Sequence, residues 1–223
     1  MTIPSDKLPA LSALSEIWNR HLNVPYLAGL WHMDLLWGLS WRRTGLSGVR
    51  PTTHRAPTWS WASLDGNVAW DHWGAEVSMD DSIIRIEQAC VDIQGSNRFG
   101  QVNGGYVILS GLMKHFHMLS PDETTRLYKT EGGEVGMAFM DTDPEPRIVL
   151  GLLLLSDVPY KSLGFILLLE HVPSGPDELP TFVRIGIADY ASYKRDKQKA
   201  ARKEVADASE LFKDCKMQTI KIL

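Results

Sequence analysis

The second half of the chain is a series of short apolar stretches cut by glycine and proline, and that spacing restricts the fold more than any single motif does. Residues 82–93, 105–113, 124–128, 135–141, 148–156, 163–172 and 182–187 are strand-sized and rich in branched or aromatic side chains. Gly95, Gly104-Gly105, Gly132-Gly133 and the group Pro173-Ser174-Gly175-Pro176 separate them as turns. Residues 217–223 read as a closing strand with Ile220 and Ile222 facing inward. Short strands with tight turns and few helices predict a mainly β (α+β) fold, an antiparallel sandwich or partly closed barrel.

Helical signals lie outside that body. Residues 8–21 carry Leu11, Leu14, Ile17 and Trp18 at helical spacing, with Pro9 suited to a first turn. Asn23 reads as the cap of a second helix with Pro25 just inside it. That helix, over 26–41 (YLAGLWHMDLLWGLSW), is apolar nearly all round, so most of its faces require cover. Asp34 on such a face requires a partner if buried, and Arg42, Arg43 and Arg55 are the nearby cations. After Pro57 the pattern becomes extended: 58–64 places Trp59, Trp61 and Ser63 on one side, and Asp65-Gly66 reads as a turn back into 68–73. Residues 190–212 read as one charged helix. The expected organisation is a single domain, 1–223: a two-helix cap (1–45), a β body (56–190), a helix (191–213) and a closing strand (216–223).

Composition narrows the function classes. At 223 residues and 44% hydrophobic, the chain has material for a sizeable core, and its net charge of −4 gives no overall attraction to nucleic acid or anionic membrane. The basic run at 194–203 reads as the solvated face of a helix. Two cysteines, Cys90 and Cys215, are too few for a disulfide framework and form no Cys-x-x-Cys pair. The longest apolar runs, 148–155 and 163–169, fall far short of a membrane span, and the first residues carry no secretory pattern. A soluble, cytoplasmic protein is expected, with no membrane or nucleic-acid partner and with its oligomeric state open.

Several landmarks occur in a familiar order: DKLPALSAL, YLAGLWHMDLLWGLSW, RAPTWSWASLDG, FGQVNGGYVILSGLM, the Phe-Met-Asp of 139–141 and the closing MQTIKIL. In this order they resemble the region that follows the HET domain in fungal heterokaryon-incompatibility proteins, over nearly the whole chain. The resemblance implies a tail-like module. No segment here resembles the HET domain itself, so its cell-death signalling is not carried over, and no catalytic residue is transferred. The sequence departs from the family's usual Trp-Arg-x-Asp-Leu-Leu-Arg-Gly-Leu pattern, because His32 and Trp37 occupy its two arginine-like positions. Trp70-Asp71-His72-Trp73, His115-Phe116-His117 and Glu170-His171 are also unusual.

These departures define the candidate site. All eight tryptophans lie between Trp18 and Trp73. Trp18, Trp31, Trp59 and Trp61 occupy family-like positions and read first as core. Trp37, Trp70 and Trp73, with Trp31 beside them, are the candidate ligand wall. His32, Asp34, Asp71 and His72 are the acid–base candidates, since a carboxylate or imidazole against indole acquires a pKa suited to proton transfer. The competing readings are an arginine-paired Asp34 and a turn residue at Asp65. His115 and His117 share one side of a strand, as a metal arm would, with Asp141 or His171 as a third ligand; exposed polar histidines are the commoner reading. No nucleophile elbow and no phosphate-cradling loop is present, which speaks against nucleophilic and nucleotide chemistry, and neither a metal nor a cofactor is assigned. Two functions are expected: a tail-like module binding a protein or a small apolar metabolite, or a small cofactor-free cyclase, isomerase or dehydratase of fungal secondary metabolism.

Overall fold

A computed structural model describes residues 4–70, 84–119, 126–129, 133–143, 147–158, 163–189 and 211–223. The strands anticipated from turn spacing form an eight-stranded sheet: β5 (Ile84–Ile93), β6 (Val102–Leu119), β7 (Arg126–Lys129), β8 (Glu134–Met140), β9 (Arg147–Val158), β10 (Leu163–Val172), β11 (Thr181–Asp189) and β12 (Met217–Ile222). Its main order is β10-β9-β6-β12-β11-β8-β7, with β5 on β6. Additional pairings of β10 with β11 and of β6 with β7 curl the sheet into a partial ring. The pairing is antiparallel except between β11 and β12, which run parallel at Thr181–Lys221 and Phe182–Ile222.

β9 and β10 are buried on both faces, which explains their unbroken apolar runs. On β9, Leu152 and Leu154 enter one cluster, whereas Val149 and Leu153 enter another. On β10, Leu167 and Leu169 join the first and Ile166 and Leu168 the second. Phe116, Met118, Leu127 and Phe212 also belong to the second cluster. The first cluster is shared with the N-terminal region, through Leu8, Leu27, Leu35, Leu39 and Trp59.

That region departs from the two-helix cap. The first helix forms as α1 (Pro9–Leu22), but Asn23 closes it instead of opening a second one. Asn23 takes the left-handed conformation at φ 51°, and its N–H donates to Asn19 O at 2.8 Å. Residues 26–41 then make a hairpin, β1 (Tyr26–Leu27) and β2 (Leu30–Trp31), a 3₁₀ turn at His32–Asp34 and one short helix, α2 (Leu35–Gly38). Ala28 and Gly29 have φ of 47° and 96°, the two positive values that a type I′ hairpin turn requires. An all-apolar run has no period to separate helix from strand, and local turn geometry decides between them.

The indole-rich stretch after Pro57 also differs from expectation. Residues 58–64 form a turn and a 3₁₀ segment, Trp61–Ser63, not a strand. Ser60 organises it: its Oγ accepts from Ala62 N at 3.1 Å and donates to Ala28 O at 2.6 Å. Trp59 is consequently fully buried while Trp61 is half-buried. Asp65-Gly66 begins β4 (Asp65–Ala69), which pairs antiparallel with β3 (Arg42–Val49). Most of the charged helix anticipated at 190–212, including the basic run, lies outside the described residues, although Leu211 and Phe212 are helical. Among the described residues, no helix is long and apolar enough to cross a membrane.

Candidate functional site

Three features of the described surface and core bear on function: a buried charge cluster, two clefts and an exposed helix face.

The charge cluster joins the cap to the sheet. Arg184 on β11 has no exposed surface, and Asp141, just after β8, is 1% exposed. The Arg184 guanidinium donates to Asp141 Oδ2 at 3.2 Å, to Leu39 O at 2.7 Å and to Trp41 O at 2.5 Å, and it lies 3.4 Å from the Trp41 ring centre. Arg50 donates to the same carboxylate at 2.8 Å, to Ser63 Oγ at 2.8 Å and to Arg184 O at 2.7 Å. Trp41 Nε1 donates to Trp59 O at 2.9 Å. Burial pushes Arg184 down to about 10, with Asp141 opposing that fall, so the guanidinium stays charged at neutral pH. Both charges are enclosed and neither residue lines a cleft. The cluster is a clamp, not a reaction centre. Asp141 therefore serves two arginines and is not a ligand for His115 and His117.

A second junction lies at the 3₁₀ segment. Lys7 donates to Trp61 O at 3.5 Å and to Leu64 O, with its ammonium 5.2 Å from the Trp61 ring centre. Burial first, and the Arg55 cation second, lower its pKa to about 8. Trp61 Nε1 donates to Gly29 O at 3.0 Å, and Arg55 pairs with Asp65 at 2.7 Å.

The first cleft, about 320 Å³, is lined by Pro51, Thr52, His54, Arg55, Gln101 and Val102, among others. The second, of the same size, lies between β9 and β10 and carries His115, Arg147, Glu170 and His171 over an apolar floor. His115 and His171 thus come to one cleft, while His117 does not line it. No group of three metal-ligating side chains occurs among the described residues.

Comparison with family models, with curated proteins and with solved structures finds no match.

Of the four acid–base candidates, His32 and Asp34 lie within the described residues, on the same 3₁₀ turn. His32 and Asp34 are exposed and line neither cleft. Asp34 needs no buried partner, and the cations expected near it are engaged elsewhere: Arg55 with Asp65, Arg43 with Asp143 at 3.6 Å, and Arg42 over Phe139. Partial desolvation raises the Asp34 pKa, opposed by a backbone hydrogen bond. Asp71, His72 and Trp73 lie outside the described residues. Trp31, Trp37 and Trp70 are half-buried, and none lines either cleft. Trp31 packs edge-on against Tyr26 at 4.9 Å, and Trp70 donates to Gly38 O at 3.1 Å, so both act as fasteners of the cap.

The exposed face belongs to α1. Leu14, Ile17 and Trp18 are 55%, 53% and 56% exposed. Ser15 is buried, and Ser12 and Asn19 beside it are half-buried. An amphipathic helix normally turns its apolar stripe inward. Here the covered side carries Leu11 and Leu22 together with those polar residues, and a second apolar group, Leu14, Ile17 and Trp18, meets solvent.

Proposed function

We propose that the chain is a tail-like module of the incompatibility family that works by binding a protein, with α1 as the receiving surface. The observation that carries this reading is the exposure of Leu14, Ile17 and Trp18 on α1. Three large apolar side chains at i, i+3 and i+4 form a ridge matched to the groove of a second amphipathic helix. The occupant is accordingly an amphipathic helix of a partner protein. The exposed Glu16–Arg20 pair, 3.1 Å apart, sits beside the ridge as a polar rim. Three half-exposed side chains fall well short of the roughly 800 Å² per partner of a stable interface, which favours a transient complex over an obligate dimer.

A photo-crosslinking residue at the exposed Ala13 tests this in an extract of the native host. The expected product joins Ala13 to a helical segment of another protein. It disappears in a Leu14→Ser/Trp18→Ala variant whose circular dichroism is unchanged. Crosslinks that persist in that variant, or that join two copies of this chain, refute the reading.

A further inference from the structure

The ladder between β9 and β10 ends at the Leu150–Leu169 pair. Beyond it, β9 stays with β6 through Val149–Phe116, Ile148–His117 and Arg147–Met118. Over the same distance β10 stays with β11, through Glu170–Val183, His171–Phe182 and Val172–Thr181. The two strands part like a fork, and the second cleft occupies the gap. Its floor is Ile148, Leu150, Leu169 and Phe182. Four polar side chains, His115, Arg147, Glu170 and His171, surround its mouth.

The geometry points to this fork as a binding site for a small uncharged amphiphile, an aromatic or alicyclic molecule bearing a hydroxyl or carbonyl oxygen. Size, charge and donors each support that class. At about 320 Å³ the cleft lies at the lower end of the roughly 300–1,000 Å³ of small-molecule sites. Arg147 and Glu170 neutralise each other at 2.9 Å across the fork. An ion of either sign must therefore break that pair or lie against a like charge, whereas a neutral ligand avoids both costs. Arg147 keeps one donor in reserve: its Nε is buried with no acceptor among the described residues. A ligand oxygen in the cleft can accept from the partly exposed Arg147 guanidinium. His171 is held edge-on to Phe182 at 5.4 Å, and an imidazole can donate or accept at the mouth. Ile148, 57% exposed, is the apolar surface that such a ligand covers. The site is separate from α1 and stands independently of the protein-binding reading.

Calorimetric titration with p-cresol, toluene and p-toluate tests the assignment, with Ile148→Glu and Arg147→Met as variants. Both altered residues are partly exposed, and circular dichroism checks that each variant folds. Wild type is expected to bind p-cresol, and Ile148→Glu to weaken it at least about tenfold by placing a charge on the apolar floor. Arg147→Met weakens p-cresol roughly fivefold, the size of one hydrogen bond, and leaves toluene unchanged. Absence of p-cresol binding to folded wild type overturns the assignment. So does equal affinity across both variants, or tighter binding of p-toluate than of p-cresol.

Discussion

Replacing Asp141 with asparagine removes one charge, nearly isosterically, from the centre of the clamp. Arg184 then keeps its bonds to the Leu39 and Trp41 carbonyls, and Arg50 keeps those to Ser63 Oγ and Arg184 O. What is lost is the anion that both guanidiniums share, at 3.2 Å and 2.8 Å. Because Arg184 has no exposed surface, water cannot take its place. Breaking a buried pair in this way costs about 3–5 kcal/mol. At about 2–4 °C per kcal/mol for a chain of this size, the melting temperature falls by roughly 6–20 °C. Urea unfolding followed by circular dichroism measures the loss. A second substitution, Arg184→Met, in the same background removes the stranded cation and is expected to restore part of the stability. A loss under about 1 kcal/mol for Asp141→Asn, the range of exposed ion pairs, refutes the picture of a sealed clamp.

Two further outcomes follow from the cap. Gly29→Ala strains a residue at φ 96° and places a methyl 2.5 Å from Trp61 Nε1, so a loss of at least about 1 kcal/mol in urea unfolding is expected; an unchanged midpoint refutes the contact. Lys7 has its pKa lowered from 10.5 to about 8, so the unfolded chain binds more protons between those values and rising pH favours the folded state there. The stability of wild type relative to Lys7→Met should therefore rise from pH 8 to pH 10, and an NMR titration midpoint of Lys7 above 10 contradicts the burial assigned to it.

Legibility in the sequence tracked the range of the forces involved. The strand at 163–172 was readable to its ends because its apolar run, buried on both faces, stops at Pro173 and Gly175. The run at 26–41 was not, because uniform hydrophobicity carries no period and the outcome turns on two backbone angles at Ala28 and Gly29. The spacing of two between Trp59 and Trp61 implies a shared side only in a strand; the Ser60 side chain, bonded across to Ala28, makes the segment a turn. Sequence spacing does not connect Arg50 and Arg184 with Asp141, because 91 and 43 residues separate them from it. One signal existed: Arg184 is spaced two from Phe182 inside an apolar strand, the register of an inward side chain. In α1 the stripe was visible and its direction was not, since periodicity fixes which residues share a face and not which face the body covers.

The position of β12 in the chain has a consequence for synthesis. It lies between β6 and β11, pairing with Val107–Leu112 on one side and with Thr181–Phe182 on the other. Leu223 then receives Thr58 N at 3.0 Å and donates to Phe182 O at 2.9 Å. A ribosome delivers β6 and β11 long before β12, because everything from Asp189 to Met217 must be made in between. Throughout that interval the nascent chain carries open strand edges flanked by its most apolar segments, a state prone to pairing with other chains. Elongation speed over that stretch, and chaperone occupancy of those edges, would then bear on the yield of native protein alongside its final stability.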